Sequence, residues 1–535
     1  MKILDKGQGI SEQKMIPSDI GITSPKFPEF RPKQLELAQY VAETKTKFSL
    51  IDAPTGVGKS LLAMAAHKLL GGKAIYLCKT KQLQDQIVED FGDMVAVIKG
   101  RKNYPCLLHD DDFPDISAED CLLSRGKKCG FVEECPYLLA KRRAVMADLV
   151  VMNITYFLTE TSTVESQFTG RDFLIVDEVD TMESELMDHV HFSVSENGLT
   201  KLHLDLPESN VDNMKSFLVW MMKAQVDLRG EMKPLQDQIE RMPPEAFEHG
   251  DLIVQRRLRN MKKLYSKLDN MFSMIDSEWV FDRVEGKNTV WQVKPIFVSQ
   301  FGDQYIWRHT KKVLGMSATI LDANIMAANI GISRFTYRKM QSPFPVANRP
   351  IYYQPVANVV RNNMDNALPL MAKKVTSLIA DYPNDKVLVH TVSYATREYL
   401  MDHVKPISRL ITHNTIDRSE KIDYFKKTKR PLVMITPSFD RGVDLAGDAC
   451  RAVIIVKCPW GYLGDSQIKA RMDAKGGYMW YFLQGAQTIV QMSGRGVRSV
   501  DDYCTTYILD EQFKKKFTWI KKFVPDWWLA ALVKK

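Results

Sequence analysis

The chain has 535 residues, of which 45% are hydrophobic and 26% charged, an ordinary globular composition with too much chain for one core, so roughly two to four domains are expected. Lys and Arg number 73 against 65 Asp and Glu, a formal net charge of +8 that is compatible with a polyanion partner but does not require one. The N-terminal stretch MKILDKGQGISEQK has no apolar core, and no apolar run approaches the ~20 residues that span a bilayer. Secretion and membrane insertion are therefore excluded at this stage, and a cytoplasmic protein is expected.

Residues 1–27 lack periodicity and read as a flexible arm. Phe30-Arg-Pro-Lys-Gln-Leu-Glu-Leu-Ala-Gln-Tyr40 reads as a helix with Pro in its first turn. The apolar run Phe48–Ile51 then leads into DAPTGVGKS, Asp52 to Ser60, followed by a helical stretch to Leu70. A strand, a Gly-bearing turn and a helix start in that order make a P-loop, with Ala53 where the strict pattern has Gly. Backbone N–H groups around Thr55, Gly56 and Gly58 would surround a polyphosphate, Lys59 would reach its β/γ-phosphates, and the Ser60 hydroxyl would hold Mg²⁺.

Lys73–Thr80 and Met94–Ile98 read as further strands, and Lys79, Thr80 and Lys81, at a strand's carboxyl edge, are candidates for nucleic-acid phosphates. Cys106, Cys121, Cys129 and Cys135 then fall within thirty residues, whereas Cys78, Cys450, Cys458 and Cys504 lie singly in strand-like runs and read as buried thiols. The cluster has no close C-x₂₋₄-C pair, which weighs against zinc. Loose spacing with Pro136 after the last Cys fits a [4Fe–4S] cluster; zinc and no metal remain alternatives. Arg101, Lys102, Arg125, Lys127, Lys128, Lys141, Arg142 and Arg143 surround it, more charge than one cluster needs.

Leu149–Met152 is another strand, and Phe173-Leu-Ile-Val-Asp-Glu-Val-Asp180 is one ending in carboxylates. Asp177 would orient Mg²⁺ and Glu178 the attacking water. From about 190 to 300 long charged helices replace the alternation. Leu258, Met261, Tyr265, Leu268, Phe272 and Ile275 predict an apolar seam there, flanked by Arg256, Arg257, Arg259, Lys262, Lys263 and Lys267.

The strand pattern returns at Val313–Thr319, passes a turn-rich linker, Ser342–Pro345 and Asn348-Arg-Pro350, and continues through strands at Lys386–His390, Leu432–Thr436, Ala452–Val456 and Thr505–Leu509. Only the first of these two α/β domains has a P-loop, so the nucleotide is expected between them. The second would supply Gln491 to hold the attacking water, Arg495 and Arg498 as arginine fingers, and Asp444 as a nucleotide sensor.

Taken in order, APTGVGKS, KTKQLQDQ, DEVD, GMSAT, RGVD and QMSGRGVR resemble the motif series of superfamily 2 helicases. The cysteine insertion, the helical insertion and the phrases GRKNYPC and SPFP…NR resemble the iron–sulfur helicases of the XPD and DinG group, most closely the DinG branch. The resemblance implies two RecA-like parallel-sheet motor domains, formed by 28–104, 137–190 and 300–340 and by 341–535. An iron–sulfur domain at 105–136 and an arch-like helical insertion at 191–299 would interrupt the first. It also implies ATP, Mg²⁺ and a [4Fe–4S] cluster as cofactors, Gln34 as the residue that reads adenine, and a monomeric 5′→3′ motor on single-stranded DNA. Forks, R-loops and D-loops are the expected substrates.

Two positions depart from the group: Asp180 stands where it has His, and Arg441 where it usually has Glu. The chain is compact, without room for an added exonuclease domain, as a phage or mobile-element form would be. Competing readings are an ATPase or translocase that remodels protein–DNA complexes without separating strands, and a passive nucleic-acid-binding module with zinc.

Overall fold

The computed structural model describes residues 15–107, 116–121, 130–163, 166–241, 249–414, 416–437, 445, 447–494, 496–497 and 501–533. Strands β1 (Phe48–Asp52), β2 (Ala74–Cys78), β3 (Ala96–Val97), β4 (Leu149–Asn153) and β5 (Arg171–Asp177) belong to one sheet. The chain then leaves it for β6 (Phe192–Ser195), β7 (Trp279–Val284) and β8 (Val290–Pro295) and returns as β9 (Thr310–Ser317) and β10 (Phe335–Lys339). The sheet runs β10-β1-β9-β5-β2-β4-β3, with every pairing parallel.

Helices cover both faces because the strands' residues alternate between two apolar clusters. Ile51, Tyr76, Cys78, Val151, Ile175 and Leu314 pack with the helices Gln34–Glu43 and Lys59–Leu70. Leu50, Ile75, Leu77, Val150, Leu174 and Val313 face the other way, toward the helices Pro136–Met146 and Ile154–Thr161. The register sets Asp52 beside Ser317, and Asp177 beside Met316, at the carboxyl edge.

The second lobe repeats this plan with β11 (Ile351–Ala357), β12 (Val387–His390), β13 (Leu410–Ile411), β14 (Val433–Thr436), β15 (Ala452–Ile455), β16 (Thr505–Asp510) and β17 (Leu532–Val533). Their order is β13-β14-β12-β15-β16-β11-β17, again parallel throughout. Among the described residues, no helix is long and apolar enough to cross a membrane.

Four local expectations change. Residues 15–27 do not behave as an arm: Ile22 is buried, and Phe27 stacks on Phe91 with 5.2 Å between centroids. The first helix begins at Gln34, not near Pro32, because Lys33 is left-handed with φ 67°. The insertion is not wholly helical, since its long helices, Met214–Arg241 and His249–Met274, stand on the antiparallel sheet β6-β8-β7. On the second of those helices the buried row is Leu252, Leu258, Met261, Leu268 and Met271, while Phe272 is 38% exposed. Tyr265 lies at the margin of that row, where its hydroxyl meets Arg229, as a polar-tipped ring requires.

Candidate active site

The P-loop turn needs left-handed residues where β1 gives way to its helix, and Gly56 and Gly58 both have φ of 80°. A Cβ at Gly58 would also strike the Gln34 amide. Gln34 is 1% exposed; its Oε1 accepts from Arg31 N at 2.7 Å, and its Nε2 donates to Val57 O at 2.7 Å and Gly58 O at 3.0 Å. Both ends of the amide thus hold backbone, so Gln34 braces the P-loop here and does not face a base. Arg31, two residues before the helix cap, donates to Gly56 O.

Lys59 Nζ lies 3.0 Å from Glu178 Oε1 and 3.9 Å from Asp177 Oδ1. Burial pushes Asp177 up to about 6, with Lys59 opposing the shift and Glu178 adding to it. β5 ends at Asp177 and does not run on to Asp180. Glu178 is left-handed at φ 55°, a conformation that costs a non-glycine residue roughly 1 kcal/mol or more. It breaks the strand and starts the turn Val179–Thr181.

That turn aims Asp180 at the neighbouring strand end and at the other lobe. Asp180 Oδ1 accepts from Ser317 Oγ at 2.7 Å, and Oδ2 from Thr319 Oγ1 at 2.9 Å and Gln491 Nε2 at 3.2 Å. Gln491 Nε2 also lies 2.7 Å from Thr319 Oγ1, and Gln487 Nε2 donates to Thr319 O at 2.9 Å. Among the described residues the buried Oε1 of Gln491 has no hydrogen-bond partner. Both glutamines sit on the helix Gly477–Ser493 of the second lobe.

Between the lobes lies a cleft of about 740 Å³, lined by Thr55, Gly56, Gly58, Lys59 and Ser60 on one side and by Gln491, Ser493 and Gly494 on the other, with Asp177 and Glu178 at its floor. Asp444, Arg441, Arg495 and Arg498 lie outside the described residues. The helix carrying Gln491 runs from Gly477 to Ser493.

Residues 31–201 match the family model described as DEAD/DEAH box helicase, and residues 376–530 match the helicase C-terminal domain. The ATP-dependent DNA helicase YoaA of Haemophilus influenzae is 23% identical, over 92% of this chain and 93% of its own. The ATP-dependent DNA helicase DinG of Photobacterium profundum is 23% identical over 51% of this chain and 42% of its own. A solved XPD helicase superposes with a TM-score of 0.65 at 16% identity, covering 92% of this chain and 98% of that one. The chain is an XPD/DinG-like helicase of superfamily 2. It is an ATP-hydrolysing enzyme, and its two parallel sheets are the RecA-like lobes of that family.

Within this helicase the cysteine segment sits beside β3. Pro105 bridges Ser117, and Cys106 N donates to Ile116 O at 3.3 Å. Cys135 caps the helix Pro136–Met146, whose Tyr137 meets Tyr104 edge-on at 5.6 Å while Arg101 lies 5.0 Å over the Tyr137 ring. Three cysteine-bearing stretches therefore approach one corner, and none of Cys106, Cys121 and Cys135 is in a disulfide. Among the described residues no set of metal-ligating side chains is gathered, and Cys129 lies outside them. Thiols beside a guanidinium have the donor chemistry of a thiolate-bound cluster, and the fit rests on that donor set.

Four of the insertion's basic residues, Arg256, Arg257, Arg259 and Lys263, are engaged within the protein. Asp120 Oδ1 receives Arg256 Nε at 2.9 Å and Arg259 Nη1 at 2.8 Å, Glu119 receives Lys263 at 2.7 Å, and Glu231 receives Arg257 at 3.1 Å. The long helix is thus clasped to the segment ending in Cys121. Lys79 pairs with Glu185 at 3.4 Å, Lys81 reaches Asn103, and Thr80 caps its helix by accepting from Leu83 N.

Residue patterns alone missed Ser317, Thr319 and Gln487 as parts of this site, along with Arg349 and Trp527, which line the cleft. GMSAT and the linker's NRP carried the only signals. Glu183, just past DEVD, had none.

Proposed function

We propose that the chain is a DNA helicase that uses ATP to move 5′→3′ on single-stranded DNA and to open forks, R-loops or D-loops, acting as a cytoplasmic monomer. The carrying observation is the Asp180–Thr319–Gln491 junction. The strand end that bears the hydrolytic carboxylates is hydrogen-bonded across the cleft to the other lobe, so a change at the γ-phosphate alters the contact between lobes. Such a linkage is what a translocating motor requires. The names of the relatives support DNA as the polymer.

In this reading Lys59 exchanges its ion pair with Glu178 for the β/γ-phosphates, which frees Glu178 to orient the attacking water. The Oε1 of Gln491, without a partner among the described residues, accepts a hydrogen bond from that water. Ser60 and Asp177 would hold Mg²⁺, which supplies neutralisation of phosphate charge. Arg495 and Arg498 stabilise the transition state, and Asp444 senses the nucleotide. Asp180 does by carboxylate acceptance what His does elsewhere in the group, since three donors surround it. Cys106, Cys121, Cys129 and Cys135 would hold a [4Fe–4S] cluster, which would stabilise a wedge at the fork and take no part in hydrolysis.

Strand displacement on duplexes with a 5′ or a 3′ tail, beside a Lys59→Ala control, tests the motor. Displacement only from the 5′ tail, with turnover falling about a hundredfold or more in the control, is expected. ATP turnover without displacement would replace the helicase by a translocase. Iron content and visible absorption of anaerobically purified protein test the cluster, and a colourless active protein would remove it.

A further inference from the structure

The nucleotide cleft contains a buried cation with no role in the reading above. Arg349 follows the turn Val346–Asn348 and precedes β11, at the crossing from the first lobe to the second. It is 7% exposed and lines the same cleft as Thr55, Lys59 and Ser60. Its guanidinium lies over the Trp527 ring, 4.0 Å from the centroid, and Nη2 donates to Phe344 O at 2.9 Å. Among the described residues the buried Nε has no hydrogen-bond partner and no carboxylate forms an ion pair with Arg349. Burial lowers its pKa to about 10, which leaves it charged at neutral pH.

A guanidinium buried without a counter-charge is costly, and its planar fork suits a phosphate above other ligands. The platform beneath it is fixed. Trp528, beside Trp527, is fully buried and donates from Nε1 to Ser493 Oγ at 2.7 Å, which ties the pair to the end of the helix that carries Gln491. One face of Trp527 is taken by the guanidinium and is not available to stack a base.

We propose that Arg349 is a nucleotide-contacting residue: held flat on Trp527 at the interlobe crossing, its guanidinium binds a phosphate oxygen of ATP and joins the linker to cleft closure. This rests on the proposed ATPase reading.

The test measures binding of a fluorescent ATP analogue, and KM and kcat with oligo-dT present, for the wild type and for Arg349→Ala, Arg349→Gln, Arg349→Lys and Trp527→Phe. Thermal melting without nucleotide is recorded for each. Loss of the guanidinium should weaken analogue binding and raise KM by about tenfold or more, with Lys recovering part of the loss and Trp527→Phe costing a few-fold. Arg349→Gln keeps volume and polarity, so the result stands if the alanine variant fails to fold. Lower melting temperature with unchanged KM and unchanged analogue binding would make Arg349 structural and overturn the proposal. A wild type that neither binds nor hydrolyses ATP would instead bring down the underlying reading, and the proposal with it.

Discussion

Asp180 and Glu183 leave the end of β5 three residues apart, and both reach the same helix of the second lobe, Gly477–Ser493. Asp180 meets its last turns at Gln491. Glu183 meets its first turns, where its Oε2 accepts from Trp480 Nε1 at 3.0 Å and Gln484 Nε2 at 3.2 Å. Their surroundings differ. Asp180 is held by two hydroxyls and an amide beside the nucleotide, groups that can exchange partners at small cost. Glu183, with a side chain 16% exposed, lies 3.8 Å from Arg471, which donates to Asn329 and stacks over Phe297 at 4.1 Å. In the proposed motor the Asp180 junction changes during turnover and the Glu183 junction holds, so the helix would act as a lever fixed at one end.

Breaking the junction that changes should have the largest effect. Asp180→Ala leaves Ser317, Thr319 and Gln491 without their common acceptor, and DNA-stimulated ATPase is expected to fall by about two orders of magnitude, while basal nucleotide binding persists. Steady-state kinetics with and without oligo-dT read this directly, and equal losses in both conditions would remove the coupling role. Glu183→Ala strands the Trp480 and Gln484 donors and deprives Arg471 of its neighbouring carboxylate. A loss of about 2–4 kcal/mol in stability is expected, with a smaller effect on turnover. Denaturation followed by tryptophan fluorescence measures it.

The same pair marks how much could be read from residues alone. Both RecA-like sheets were legible, because their buried strands are short runs of Val, Ile and Leu at regular intervals between helices. The P-loop lysine and the Asp177–Glu178 pair were legible because chemistry fixes their spacing to a strand end. Asp180 was noticed only as a departure, since nothing local says that Ser317 and Thr319, more than a hundred residues away, meet it. Glu183 gave no sign at all, because a Glu at the start of a helix is ordinary until tertiary packing brings Trp480 and Arg471 against it. The antiparallel sheet beneath the insertion was hidden for a similar reason: β6 and β8 are separated by the two long helices, whose periodicity dominates the segment. The charges flanking the insertion's seam gave no sign of their partners, and only the fold shows Asp120 and Glu119 holding Arg256, Arg259 and Lys263.

Acidity bears on the Glu183 junction. Burial pushes Glu183 up to about 7 from its ordinary value near 4.5, with Arg471 and the Trp480 and Asn329 hydrogen bonds opposing the shift. The folded state therefore binds more protons than the unfolded one between about pH 4.5 and 7, so this group's contribution to stability falls as pH rises through that window. Melting temperature against pH, compared with Glu183→Gln, should show the wild type losing relative stability from pH 5 to 7.5. A relative gain would mean that the Arg471 charge outweighs burial.

The smallest effect belongs to the rim of the fixed end. The insertion's sheet reaches across to the helix Ser466–Asp473 of the second lobe: Lys294 Nζ lies 2.7 Å from Asp465 Oδ2, Asp282 accepts from Ser466 N at 3.1 Å, and Gln467 Nε2 donates to Ile296 O at 3.0 Å. Lys294 and Asp465 keep about a fifth of their side-chain surface in water, so Lys294→Ala should cost no more than about 1 kcal/mol, and less at high salt. A double-mutant cycle with Glu183→Ala decides whether the strap and the buried carboxylate act as one support. Coupling well above about 0.5 kcal/mol would make the insertion part of the fixed end of the lever, so that movements of its long helices are transmitted to the second lobe. Additivity would make the strap a local surface contact and leave Glu183 to hold the helix alone.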